Sequence, residues 1–174
     1  MSFSITINGI AHVLDDALQS ATLLEYLHEE AGLTGTKLCC GIAVCRACTV
    51  SVQRGPSGVS EPILACSTPL GLLKEAQVTT IEAVAVDGKL SATQTAFLKH
   101  FSFQCGYCAP GFVMAAEIFL QELARQPVPE AQLDDAIVAA IGEHICRCTG
   151  YVRYFEAVKE VALAQMAAKQ GAAQ

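Results

Sequence analysis

Eight of the nine cysteines in this 174-residue chain fall into two groups of four, one in each half, and that distribution limits the fold more than any other feature. Cys40, Cys45, Cys48 and Cys66 make the first group; Cys105, Cys108, Cys146 and Cys148 make the second. The start, Met1-Ser2-Phe3-Ser4-Ile5, lacks the basic residues, apolar stretch and small-residue cleavage site of a secretory signal. Folding is therefore expected in the cytoplasm, where thiols stay reduced and metal ligation is favoured over disulfides. An odd total also leaves one cysteine unpaired in any complete disulfide scheme. The spacings of the two groups differ too much for an internal duplication.

The first group reads C-x4-C-x2-C with a distant fourth cysteine, the spacing of a plant-type [2Fe–2S] site. Such a site needs a tight loop that presents three thiolates and turns its amides toward sulfur. The small residues Gly41, Ala43 and Ala47 suit that curl. Zinc is the alternative, since Cys45-x2-Cys48 alone also fits a zinc knuckle closed by two other thiols. The x4 spacing and the order of neighbouring elements favour iron and sulfur. Cys39 would have to reverse its side-chain direction to reach the same metal, so it is expected to be a small buried filler.

Composition narrows the function. Hydrophobic residues make up 52% and charged residues 16%, enough for packed cores and too little charge for disorder. A net charge of -6, with 11 Lys and Arg and no basic run, argues against nucleic acid. No apolar stretch approaches the roughly 18 residues of a membrane span. The longest candidate, Phe112 to Leu120, is short and interrupted by Glu117. The surplus of apolar residues is expected to face partner subunits.

Elements follow from periodicity and caps. Phe3 to Ile7 alternates with period two, Asn8-Gly9 turns, and Ile10 to Leu14 returns, predicting a hairpin. Thr22 caps a helix with Leu23, Leu24 and Leu27 on its apolar face and Gly32 past its end. Thr49 to Val52 is a strand, Gly55 to Gly58 a turn, Ile63 to Ala65 a short buried strand and Val78 to Ile81 a last strand. A domain boundary is placed at 82/83, before a connector containing Asp87-Gly88. Beyond it the pattern predicts four short helices: Ser91 to His100, Pro110 to Arg125, one around Ile137 and Ile141, and Tyr154 to Ala168.

In the second half, Gln104-Cys105-Gly106-Tyr107-Cys108-Ala109-Pro110-Gly111 precedes a helix, and Cys146-Arg147-Cys148-Thr149-Gly150-Tyr151 lies between the last two. Helix N-termini favour an anionic thiolate cluster, but spacing alone leaves zinc and iron open here. These two motifs, downstream of C-x4-C-x2-C-Thr-Val, closely resemble the small subunit of the xanthine oxidase family of molybdenum hydroxylases, from Ile5 to about Val161. Gly35-Thr36-Lys37 and Gly41-Ile42-Ala43 look closest to its isoquinoline oxidoreductase and bacterial aldehyde dehydrogenase branch.

The resemblance implies an α+β chain: a β-grasp ferredoxin-like [2Fe–2S] domain over residues 1–82, then a four-helix-bundle [2Fe–2S] domain over 83–174. By position, Cys40, Cys45, Cys48 and Cys66 would bind the outer cluster, and Cys105, Cys108, Cys146 and Cys148 the inner one. Gln104 would hydrogen-bond a molybdopterin held by a large catalytic subunit, with Cys148 near the same pterin edge. Electrons released there on oxidation of an aldehyde or N-heterocycle would leave singly through both clusters to a cytochrome c or flavin (FAD) subunit. Some relatives are exported already folded with a partner, so a periplasmic or partner-anchored site stands beside the cytoplasmic one. The rival functions are a zinc-stabilised interaction module and a free-standing ferredoxin or redox sensor.

The chain departs from the family pattern at Cys39, Ala43 and Arg46, where Gly is common, at Ala109 in place of Thr, and at Glu143-His144 in place of Gly-Asn. No departure removes a ligand. Arg46 is expected to place a positive charge beside the outer cluster. His12, His28, His100 and His144 are scattered and expected to be structural or exposed. Hydrolase, Walker-type and dinucleotide motifs are absent from the sequence.

Overall fold

The computed structural model describes residues 2–55 and 58–172, so Met1 and, within the expected Gly55–Gly58 turn, Pro56 and Ser57 lie outside the described residues. The hairpin is formed by β1 (Ser2–Ile7) and β2 (Ile10–Asp15), paired antiparallel with Ile7 opposite Ile10. Asn8 and Gly9 take the turn with φ of 51° and 82°, the left-handed region such a tight connection requires. Helix α1 (Leu23–Glu29) starts at a complete capping box: Thr22 Oγ1 accepts from the Glu25 amide while the Glu25 carboxylate accepts from the Thr22 amide.

Strands β3 (Thr49–Gln53), β4 (Ser60–Leu64) and β5 (Gln77–Thr79) complete a five-stranded sheet of order β2-β1-β5-β3-β4. Among the described strand pairs, β1 and β5 are parallel and the other three pairs are antiparallel. Leu23, Leu24 and Leu27 of α1 join Ile5, Ile7, Val50, Val52 and Val78 in one core, so the helix covers one face of the sheet. Two strand expectations shift. Ile63 and Leu64 are half-buried because β4 is an edge strand, and Ala65 to Ser67 turn into a 3-10 helix that carries Cys66 out of the sheet. Likewise Ile81 enters a 3-10 turn as β5 ends at Thr79.

The second half is helical: α2 (Ala92–Lys99), α3 (Ala109–Arg125), α4 (Leu133–Ile141) and α5 (Val152–Ala172). Ser91 and Gln94 form a second capping box at α2. α3, at 17 residues, keeps the expected span to within one residue, while α5, at 21 residues, runs past both ends of the expected Tyr154–Ala168 helix, since the Gly150 break lies outside it. Their shared core includes Phe97, Phe112, Leu123, Leu133, Ile137, Tyr154 and Val158. Tyr154 sits between Phe112, stacked at 4.0 Å, and Phe97, edge-on at 5.1 Å. Among the described residues no helix is long and apolar enough to cross a membrane.

The halves meet where α3 lies along β3 and β4. Gly111, in the first turn of α3, permits the closest approach: a Cβ there would stand 2.5 Å from the Arg46 carbonyl oxygen and 3.0 Å from that of Ala47. Ser60 Oγ donates to Gln121 Oε1 at 2.7 Å further along the same contact.

Candidate metal centres

The first thiol group is gathered by the loop between α1 and β3. Three amides, those of Ile42, Val44 and Cys45, donate to Cys40 Sγ at 3.4 to 3.5 Å. The Cys45 and Ile42 amides are the main cause of a Cys40 thiol held down at about 6. This is the amide cradle an anionic sulfur site needs. Its curvature comes from φ of 69° at Gly41, 59° at Ala43 and 60° at Arg46. Two of these are not glycine, so the loop holds backbone strain. Ala43→Gly is expected to raise unfolding stability by about 1 kcal/mol, measurable by denaturant titration.

Cys45 and Cys48 are buried, and Cys66 reaches them from the 3-10 turn after β4. Burial pushes the Cys45 thiol up, and it pushes Cys48 up to about 12. The thiols come in pairs, Cys40 against Cys45 and Cys48 against Cys66. Cys39 is exposed, not the buried filler expected, because loop 38–44 lies on the surface with Leu38, Ile42 and Val44. Its thiol also faces Cys45.

The second group forms where two loops meet. Cys108 is the N-cap of α3, and Cys146 and Cys148 precede α5. Positive φ at Gly106 (77°), Gly150 (67°) and Tyr151 (74°) turns both loops inward. Cys105 and Cys148 sulfurs stand 3.7 Å apart, and Cys108 faces Cys146. Burial raises Cys108 to about 11. Burial also pushes Cys146 up, but the Thr149 hydroxyl and the Cys148 and Thr149 amides outweigh it and hold that thiol low. The Tyr154 hydroxyl lies 3.5 Å from Cys108 Sγ, and burial drives its own ionisation far upward.

Among the described residues no three His, Cys, Asp or Glu side chains gather tightly enough for a single metal ion. What the fold brings together are four pairs of thiols, two pairs at each site. A [2Fe–2S] cluster takes four thiolates, two on each iron, so the paired cradle fits that group. Gln104 Nε2 donates to the Cys148 carbonyl at 3.0 Å, and both residues are exposed beside Cys105, so the sequence-predicted pterin residues share one surface.

At the junction the fold joins residues that the sequence left unconnected. Arg46 pairs with Glu143, whose carboxylate offsets the positive charge expected beside the first site. His144, 4% exposed, approaches Thr49 Oγ1 through Nε2 at 3.1 Å. Burial first, and Arg46 second, lower its pKa from 6.5 to about 4. A base charged less readily in the fold stabilises it above the unfolded pKa, and that stability is lost as pH falls. Stability is therefore expected to drop between pH 6.5 and about 4, with a shallower drop in His144→Gln, read from melts across that range. The other histidines are structural, as expected: His12 meets Tyr26 Oη at 2.9 Å, His28 the Thr36 carbonyl at 2.6 Å and His100 Glu160 at 2.7 Å.

Comparison with known proteins agrees with this geometry. A 2Fe-2S iron-sulfur cluster binding domain model matches residues 5–71, and a [2Fe-2S] binding domain model matches residues 80–159. The nicotinate dehydrogenase small FeS subunit of Eubacterium barkeri is 34% identical over 159 residues, covering 91% of this chain and 93% of that one. The caffeine dehydrogenase subunit gamma of Pseudomonas sp. (strain CBB1) is 35% identical over 159 residues, covering 91% and 89%. Among solved structures, a chain of quinoline 2-oxidoreductase from Pseudomonas putida 86 superposes with a TM-score of 0.78 at 31% identity, covering 98% of this chain and 97% of its own.

Proposed function

Because this chain belongs to the small iron–sulfur subunits of the xanthine oxidase family of molybdenum hydroxylases, and so serves electron transfer in an oxidoreductase complex, we propose that it carries two [2Fe–2S] clusters in series. Residues 1–82 would hold one through Cys40, Cys45, Cys48 and Cys66, and residues 83–174 the other through Cys105, Cys108, Cys146 and Cys148. The observation that carries this reading is the gathering of all eight thiols into paired cradles. Each bound cluster supplies a one-electron carrier. The chain's own residues position the sulfurs, donate amides to Cys40 and exclude water with Cys45, Cys48 and Cys146.

The exposed face with Gln104, Cys105 and Cys148 would dock on a large molybdopterin-binding subunit, Gln104 and Cys148 meeting the pterin. Phe101, Ile145, Tyr151 and Val152, which flank these residues in the sequence, leave apolar area exposed, as expected for a surface covered by a partner. Loop 38–44, with exposed Leu38, Ile42 and Val44, would then face the cytochrome c or FAD acceptor. The substrate, an aldehyde or N-heterocycle, would be bound by the large subunit. The assembled complex would sit in the cytoplasm, or in the periplasm if a folded partner carries it there.

Native purification tests this assignment. A larger molybdenum-containing chain is expected to co-purify, and adding the complex's substrate is expected to bleach the visible iron–sulfur absorption. Isolation as a stable monomer in which molybdenum never accompanies the chain would favour a free-standing ferredoxin instead.

A further inference from the structure

The two thiol sites meet at one short junction. The amide of Ile145, the residue before Cys146, donates to the Cys45 carbonyl oxygen at 3.1 Å. Beside that bond the Thr49 hydroxyl donates to the Arg46 carbonyl oxygen at 2.8 Å, and His144 Nε2 lies 3.1 Å from the same hydroxyl. A hydroxyl has one proton to donate. Since Thr49 gives it to Arg46, the proton in the second contact belongs to the imidazole, which sets His144 as the Nε2–H tautomer. Its ring is held from the other side by Phe112, 5.0 Å away. Two links thus tie residues 45 and 46 to residues 144 and 145, side by side, and α3 closes over them at Gly111.

We propose that His144 is a positioning residue for electron passage between the two sites. Through Thr49 it holds the Cys45–Cys48 loop against the segment leading into Cys146, so that the direct route from Cys146 through the Ile145 N–H to the Cys45 carbonyl stays formed. The inference rests on the cluster assignment above. With both clusters bound, one electron would pass from the second site to the first, oxidising one and reducing the other, and no covalent bond or proton would have to move. His144 acts by geometry alone.

The test uses the intact preparation with His144→Phe, which keeps a ring against Phe112 but loses the donor, and Thr49→Val, which removes the hydroxyl at similar volume. Readouts are iron content, the magnetic interaction between the two reduced clusters in EPR, and the rate of electron exchange between them after rapid photoreduction. Both variants are expected to retain iron while exchange slows several-fold and the interaction changes. His144→Gln, still able to donate to Thr49, is expected to restore both. The double variant is expected to be no slower than either single one, since each cuts the same link. Unchanged exchange and interaction in either iron-replete single variant, even with a lowered melting temperature, overturns the inference. Missing clusters in the unsubstituted protein would overturn the cluster assignment instead.

Discussion

A Cys48→Ala variant is expected to purify with about two irons per chain where the unsubstituted protein holds about four, and to show one EPR signal on reduction in place of two. Cys48 is 2% exposed and faces Cys66, so no water or distant side chain can take its place without opening the sheet end of the loop. Alanine removes the ligand and leaves the core around Val50 and Leu27 otherwise intact. The second site, whose nearest cysteine follows 57 residues later in the sequence, keeps its four thiols. Electron throughput is expected to fall to background, because in the proposed relay the first site would be the exit. Iron assay and EPR on the same sample read both effects, and retention of the full iron content would remove Cys48 from the ligand set.

The largest stability effect is expected at Phe112. Phe112→Ala should cost about 3–5 kcal/mol, the range for deleting a buried aromatic ring. Phe112 is 1% exposed, stacks on Tyr154 at 4.0 Å and reaches His144 at 5.0 Å. Its loss leaves a cavity under Tyr154, whose hydroxyl is held near Cys108, and removes the wall that supports His144. The helical core and the junction to the sheet should therefore weaken together. Denaturant unfolding followed by far-ultraviolet circular dichroism measures the cost, and a loss below about 1 kcal/mol would show that the site relaxes around the void.

Much of this architecture was legible in the sequence because its signals are local. The Asn8-Gly9 turn, the Thr22 and Ser91 caps and the two cysteine spacings each fix their element within a few residues, and the structure keeps all of them. Boundaries that depended on tertiary position moved: Ile63 and Leu64 read as buried, yet β4 lies at the sheet edge. The junction was illegible for a different reason. His144 and Thr49 are separated by 95 residues, and nothing near either one signals the other. Arg46 and Glu143 likewise read as two unrelated departures from the family pattern until the fold pairs them. Cys39 read as buried from its residue type, whereas its loop is held at the surface by the curl that cradles Cys40.

The account stands on eight sulfurs holding two separate diiron clusters. Quantifying iron and zinc in one anaerobic preparation, and recording its EPR spectrum after dithionite reduction, tests that claim most directly. The predicted result is about four irons per chain, negligible zinc and two distinguishable [2Fe–2S] signals. A colourless protein with stoichiometric zinc and a silent spectrum would contradict it.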